Sequence, residues 1–133
     1  MILYKKRRHY KYTLFADYQH QTELHPAQPI IMPPVISLSM DGLLTIKKGY
    51  AWDGPSGPTI DTPNFMRGSL VHDAVYQLMR EQHIPQEHRE YADQLLREIC
   101  IEDGMSQVRA WVVYQGVRFG GASSAAPDLL RAP

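Results

Sequence analysis

The sequence predicts an α+β fold: a small antiparallel sheet from the N-terminal half, packed with three C-terminal helices. Three observations carry this. The first half is rich in aromatic and β-branched residues, with an Asp-Gly turn dipeptide and scattered prolines. A Gly/Pro-rich stretch over residues 50–64 then forbids regular structure. Beyond it, apolar residues recur at three- and four-residue spacing, the period of helices with one buried face. A chain of 133 residues with 44% hydrophobic and 21% charged residues has the size and make-up of one folded domain. That domain is expected to run over 1–120. The Gly/Ala/Ser-rich residues 121–133 are expected to form a flexible tail.

Residues 10–18 suit a pleated surface and predict the first strand. Pro26, Pro29, Pro33 and Pro34 confine the next stretch to turns or edge strands. Residues 35–40 alternate, with Ile36, Leu38 and Met40 on one face and Ser37 and Ser39 on the other. Asp41-Gly42 follows, then the β-prone run 43–50, so a hairpin is expected there, both turn residues tolerating positive φ. Asn64 is the expected N-cap of a first helix over 65–82, with Val71, Val75, Leu78 and Met79 as its apolar stripe. Pro85 suits the first turn of a second helix that carries Ala92, Leu95, Leu96, Ile99 and Cys100 and ends at Gly104. A third helix is expected from residue 105 or 106 to about 119, packing through Val108, Trp111, Val112 and Tyr114.

Fourteen Lys and Arg balance fourteen Asp and Glu, which argues against a protein that coats nucleic acid. The balance is uneven along the chain. Lys5, Lys6, Arg7, Arg8 and Lys11 form a basic N-terminal arm suited to phosphate, of a lipid headgroup or a nucleic acid, or to the acidic stretch 86–103. One cysteine, Cys100, excludes a disulfide scaffold, and its place on the inner stripe makes it a core residue. No apolar run reaches the roughly 18 residues of a membrane span, and no secretory signal is visible.

The chemistry-bearing residues cluster on the first two helices. His72 and Tyr76 are four apart and share a face at the edge of the apolar stripe. Asp93 lies three residues before Leu96 and seven before Cys100, inside the packing stripe of the second helix. A buried carboxylate needs a partner. The short connection around 82–86 makes the two helices antiparallel neighbours, and His72 and Asp93 stand at similar distances from it. They are expected within hydrogen-bond reach. An imidazole held on one nitrogen can take a proton from water on the other. Asp73 points further round, toward the Gly/Pro loop, and with the Gly54 to Gly57 carbonyls and water it forms a candidate oxygen site for a hard cation, Asp53 and Asp61 being extra candidate ligands. The residues leave a second reading open, in which the same His/Asp cluster only fixes helix register.

Two resemblances follow. The segment 44–58, with Gly49-Tyr50, Asp53-Gly54 and Ser56, then His72-Asp73 and Tyr76, then Arg89 and Asp93, then Tyr114, Arg118 and Gly120, resembles the phage and prophage family called domain of unknown function 1353. The resemblance covers roughly 43–120 and implies a phage or prophage origin, hence host cytoplasm or virion as location and phage structural proteins as partners. The second resemblance is shorter. A Gly-rich loop followed by His-Asp-x-x-Tyr, with an aspartate on an antiparallel helix, is similar to phospholipase A₂. It implies His72 as base, Asp93 as its orienting group, Tyr76 beside them, a calcium held by Asp73, Asp53 and the Gly54 and Gly57 carbonyls, and membrane lipid as partner. Val75 stands where that motif has cysteine, Ser56 where its loop has glycine, and the flanking disulfides are absent.

Overall fold

The computed structural model describes residues 12–32, 35–52 and 62–126. The basic arm, Pro33, Pro34, the loop ligands Asp53, Gly54, Gly57 and Asp61, and residues 127–133 lie outside them.

The α+β prediction holds. Six short strands come first: β1 (Tyr12–Thr13), β2 (Tyr18–Gln21), β3 (Ile30–Met32), β4 (Ile36–Leu38), β5 (Leu43–Ile46) and β6 (Ala51–Trp52). The helices α1 (Pro63–Arg80), α2 (Arg89–Glu102), α3 (Gln107–Gly120) and the single-turn α4 (Ala122–Ala125) follow. β2, β5, β4 and β3 form one antiparallel sheet in that order, and β1 pairs with β6 in a separate ribbon. The single strand expected over 10–18 is therefore two strands in two sheets.

Register follows from the hydrophobic alternation. Ile36 pairs with Ile46 and Leu38 with Leu44, so all four point to one face and are buried. The turn between them differs from the expected one. Gly42 N donates to Ser39 O at 3.0 Å, and Gly42 alone takes positive φ, at 93°. The loop is thus three residues, a turn followed by a left-handed glycine. Met40 falls in the turn and is exposed, not on the inner face. Gly42 is required twice over: a Cβ there would also collide with the Thr22 and Leu24 carbonyls.

The sheet's apolar face covers α1 and α2, joining Leu70, Val71, Ala74, Val75, Leu78 and Met79 with Ala92, Leu95 and Ile99 in the main core. α1 begins earlier than expected. Thr62 is its N-cap, Pro63 its first residue and Asn64 lies inside the helix, because a proline's missing N–H costs nothing in the first turn. It also ends earlier. Gln82 turns left-handed with φ 65°, and the His83 N–H closes on the Leu78 carbonyl at 2.8 Å. Pro85 precedes a 3₁₀ turn, Gln86–His88, before α2 proper. α2 ends as expected at Gly104, φ 100°, with Met105 N donating to Cys100 O at 2.9 Å.

α3 corrects the sequence reading most. Ser106 caps it, its side chain accepting from Arg109 N at 3.2 Å. Yet Val108, Trp111 and Val112, the expected packing residues, face solvent, and Tyr114 is half-buried. The inward residues are the smaller Ala110 and Val113, which join Phe65, Leu96, Cys100 and Met105 in a second cluster. Past residue 120 the chain stays in contact with the core. Gly121 is buried, and Ala125 of α4 belongs to the main cluster.

Candidate functional site

The seam between α1 and α2 positions the site. Gly68 lets the helices close: a Cβ there would sit 2.9 Å from Cys100 Sγ and 3.0 Å from a Leu96 methyl. One turn along α1 from Gly68 comes His72, and one turn further Tyr76, so both reach across to α2. Trp52, on the ribbon, donates from its indole nitrogen to Ser69 Oγ at 3.1 Å, anchoring β6 to the second turn of α1.

His72 and Asp93 meet as the sequence predicts. The His72 Nε2 to Asp93 Oδ1 distance is 2.7 Å. Tyr76 Oη donates to the same oxygen at 2.5 Å, and its ring lies 4.1 Å, centroid to centroid, from the imidazole. Asp93 is 0% exposed and His72 7%. An ionised carboxylate only accepts, so the Nε2 proton points at Asp93 and Nδ1 faces the other way. There it finds Asp73 Oδ1 at 3.7 Å, on a side chain half open to solvent.

The second oxygen of Asp93 is held from a third helix. Arg118 of α3 donates from Nη1 to Asp93 Oδ2 at 3.0 Å. Arg89, one turn before Asp93 on α2, stands 3.7 Å from the same oxygen. Its guanidinium also donates to the Val117 carbonyl at 3.2 Å and the Arg118 carbonyl at 3.3 Å, stitching the end of α3 to α2. Sequence reasoning gave neither arginine a role. Arg89 was detectable as a cation four residues before a buried carboxylate. For Arg118 the only signal was its place in the family pattern, because no local periodicity links α3 to Asp93.

The charges respond to this packing. For Asp93, burial opposes ionisation, but the His72 and Tyr76 hydrogen bonds, the His72 charge and Arg118 outweigh it and hold its pKa low. For His72, burial opposes protonation, but the Asp73 and Asp93 carboxylates outweigh it, and its pKa rises. Burial first, and the Asp93 charge after it, push the Tyr76 hydroxyl up, so it stays a donor. Cys100, buried and free, is pushed up to about 11 by burial and is inert packing. His83 is exposed and His88 half-buried, both away from this cluster.

For a metal, Asp73 is the one described residue among the candidate ligands; the others fall within 53–61. Among the described residues no group of three or more His, Cys, Asp or Glu is placed to hold an ion. Among them, too, no helix is long and apolar enough to cross a membrane.

No curated protein and no solved structure matches the chain. A family described as proteins of unknown function (DUF1353) matches residues 34–117, a span that holds β4, β5, β6, α1, α2 and most of α3 with every helix residue of the His72–Asp93 cluster except Arg118. The chain belongs to that family.

Proposed function

We propose that this is a phage-encoded His/Asp hydrolase acting on an ester bond, of phospholipase A₂-like character. One observation carries the reading. His72 is fixed through Nε2 to a buried carboxylate at 2.7 Å, while Nδ1 points toward the half-open Asp73. That is the arrangement of an oriented general base. In this reading a water at Nδ1 attacks the ester carbonyl as its proton passes to the imidazole. The imidazolium is stabilised by Asp93, whose own charge is held in place by Arg118 and Arg89. The proton then goes to the departing alkoxide, leaving acid and alcohol. Tyr76 keeps the imidazole plane and the Asp93 oxygen aligned.

The phage origin rests on the family resemblance, and with it a place in the host cytoplasm or the virion. Calcium is part of the proposal through the short motif resemblance. When bound it would supply positive charge to the developing oxyanion. Asp73 and Asp53 would be its carboxylate ligands, with the carbonyls of Gly54 and Gly57 as the remaining donors. Membrane lipid is the substrate class that the resemblance suggests.

A second reading is favoured by the complete burial of Asp93 and by its partners from three helices. In it the protein is a non-enzymatic virion, tail or assembly component, and the cluster is a polar lock. One assay separates the two. Purified protein is given a short-chain phospholipid and a simple aryl ester, with calcium and with chelator. The enzyme reading expects turnover that falls about 10²- to 10⁴-fold in His72→Gln, with the fold intact by circular dichroism. No turnover of either ester by the wild type under both conditions removes it and leaves the polar lock.

A further inference from the structure

α3 has two apolar faces, and among the described residues only one is covered. Ala110 and Val113 pack inward. On the opposite side Val108 is 76% exposed, Phe119 90%, and Trp111 and Val112 51% each. These four recur at three-, four- and seven-residue steps and fall on one stripe, with Gln115 at its middle. Scattered exposed apolar residues are ordinary, but a helix-long stripe with a tryptophan in it is an interaction surface.

We propose that this stripe is the interface of a homodimer, in which α3 pairs antiparallel with α3 of a second copy across a two-fold axis. Three features select a second copy. The first is charge. No acidic residue occurs from 107 to 126, and the arginines of this helix are turned away from the stripe. Arg109 donates to Thr62 Oγ1 at 2.9 Å, and Arg118 is taken by Asp93. Two such stripes meet with no opposed like charges, and neither arginine of this helix is displayed beside them to an anionic lipid surface. The second is register. Two-fold antiparallel pairing centred level with residues 113 and 114 sets Val108 level with Phe119 of the other copy and Trp111 level with its Gly116, so the largest side chain meets the smallest. At Gly116, on the edge of the stripe, an added Cβ would meet nothing within 4 Å, which leaves the backbones free to approach. The third is area. Covering these side chains in both copies removes on the order of 1,000 Å², the lower bound for a specific interface.

The test is sedimentation and light scattering of the full chain over a dilution series. The expected result is a mass of twice 15.2 kDa that falls to 15.2 kDa on dilution. Val112→Glu and Phe119→Glu, both at exposed positions, should be monomeric at every concentration, with unchanged circular dichroism. Phe15→Glu, an exposed control off this helix, should dimerise like the wild type. Trp111 gives a second readout, because Trp52 is buried. The wild type's emission should shift to the red on dilution, and that of Val112→Glu should already be there. A wild type that stays monomeric throughout overturns the proposal. So does a dimer that survives Val112→Glu together with Phe119→Glu. A monomer that sediments with phosphatidylcholine vesicles overturns it too, and assigns the stripe to lipid.

Discussion

The α1–α2 seam and the α2–α3 contact are built on different principles. The seam is an apolar joint with a polar centre. Leu70, Val71, Ala74, Val75, Leu78, Ala92, Leu95 and Ile99 surround it in the main core, and His72, Tyr76 and Asp93 occupy its middle. The α2–α3 contact has a small apolar cluster, and arginines supply the rest of it. Arg89 reaches the carbonyls of residues 117 and 118, Arg118 reaches Asp93, and Arg97 lies 5.9 Å over the Tyr114 ring. Asp93 is common to both contacts. A helix docked by guanidinium groups can keep a second apolar face outward, since it does not need that face for its own fold.

The comparison breaks first at Asp93. Asp93→Leu removes the acceptor for His72 and Tyr76 and leaves Arg118 without its carboxylate. A loss of about 3–5 kcal/mol is expected in urea unfolding, the range for breaking a buried pair from one side. Adding Arg118→Met to Asp93→Leu should restore part of it, because the stranded cation is gone. A double variant no better than the single one would mean that Arg118 finds solvent without cost and that α3 is held by its apolar cluster.

His72→Ala should cost less, about 1–3 kcal/mol. From sequence alone this change would strand Asp93. In the structure the carboxylate keeps Tyr76, Arg118 and Arg89. Differential scanning calorimetry of His72→Ala beside Asp93→Leu checks the ranking. The hydrolase reading further expects the ester turnover to vanish in His72→Ala.

The seam also carries a pH signature. His72 has a raised pKa when folded, so its contribution is full below the unfolded value of about 6.5 and is lost as pH rises through the folded one. Asp93 has a lowered pKa, so its contribution is present above about 3.9 and is lost as pH falls through its folded value. Stability from the pair should therefore peak between about pH 4 and 6.5. Melting temperatures across pH 3–9 test this, and His72→Gln should abolish the alkaline side and weaken the acid side, which Tyr76 and Arg118 still support.

Legibility followed the same division. The hairpin core, α1, α2 and the His72–Asp93 contact could be read because each rests on local periodicity and a short connection of known geometry. The Asp-Gly dipeptide does mark the turn, but alternation misplaces Met40. Alternation continues through a turn in sequence, while the chain leaves the sheet. On α3, apolar character is spread around the helix, so composition cannot say which side is inward. Size alone points to the larger residues as the packed ones. The structure buries Ala110 and Val113 instead, against Phe65, Leu96, Cys100 and Met105. Arg118 had no local signal, because no short connection of known geometry sets α3 against Asp93, 25 residues away in sequence.

The smallest effect is expected on the outer face of α3, and it is a question of concentration. Trp111 is half-exposed and adds nothing to the cluster that docks α3. In dilute solution Trp111→Ala should change stability by no more than about 0.5 kcal/mol, as for other surface positions. If two copies pair through this face, the dimer binds only folded protein, and the wild type's melting temperature rises with concentration by mass action. Trp111→Ala should remove most of that rise while leaving the dilute value alone. Ala110→Leu, one residue away on the inner face, should do the reverse. It overpacks the second cluster at about 1–3 kcal/mol, at every concentration alike. Equal behaviour of the two variants would mean that the faces of α3 do not differ in kind.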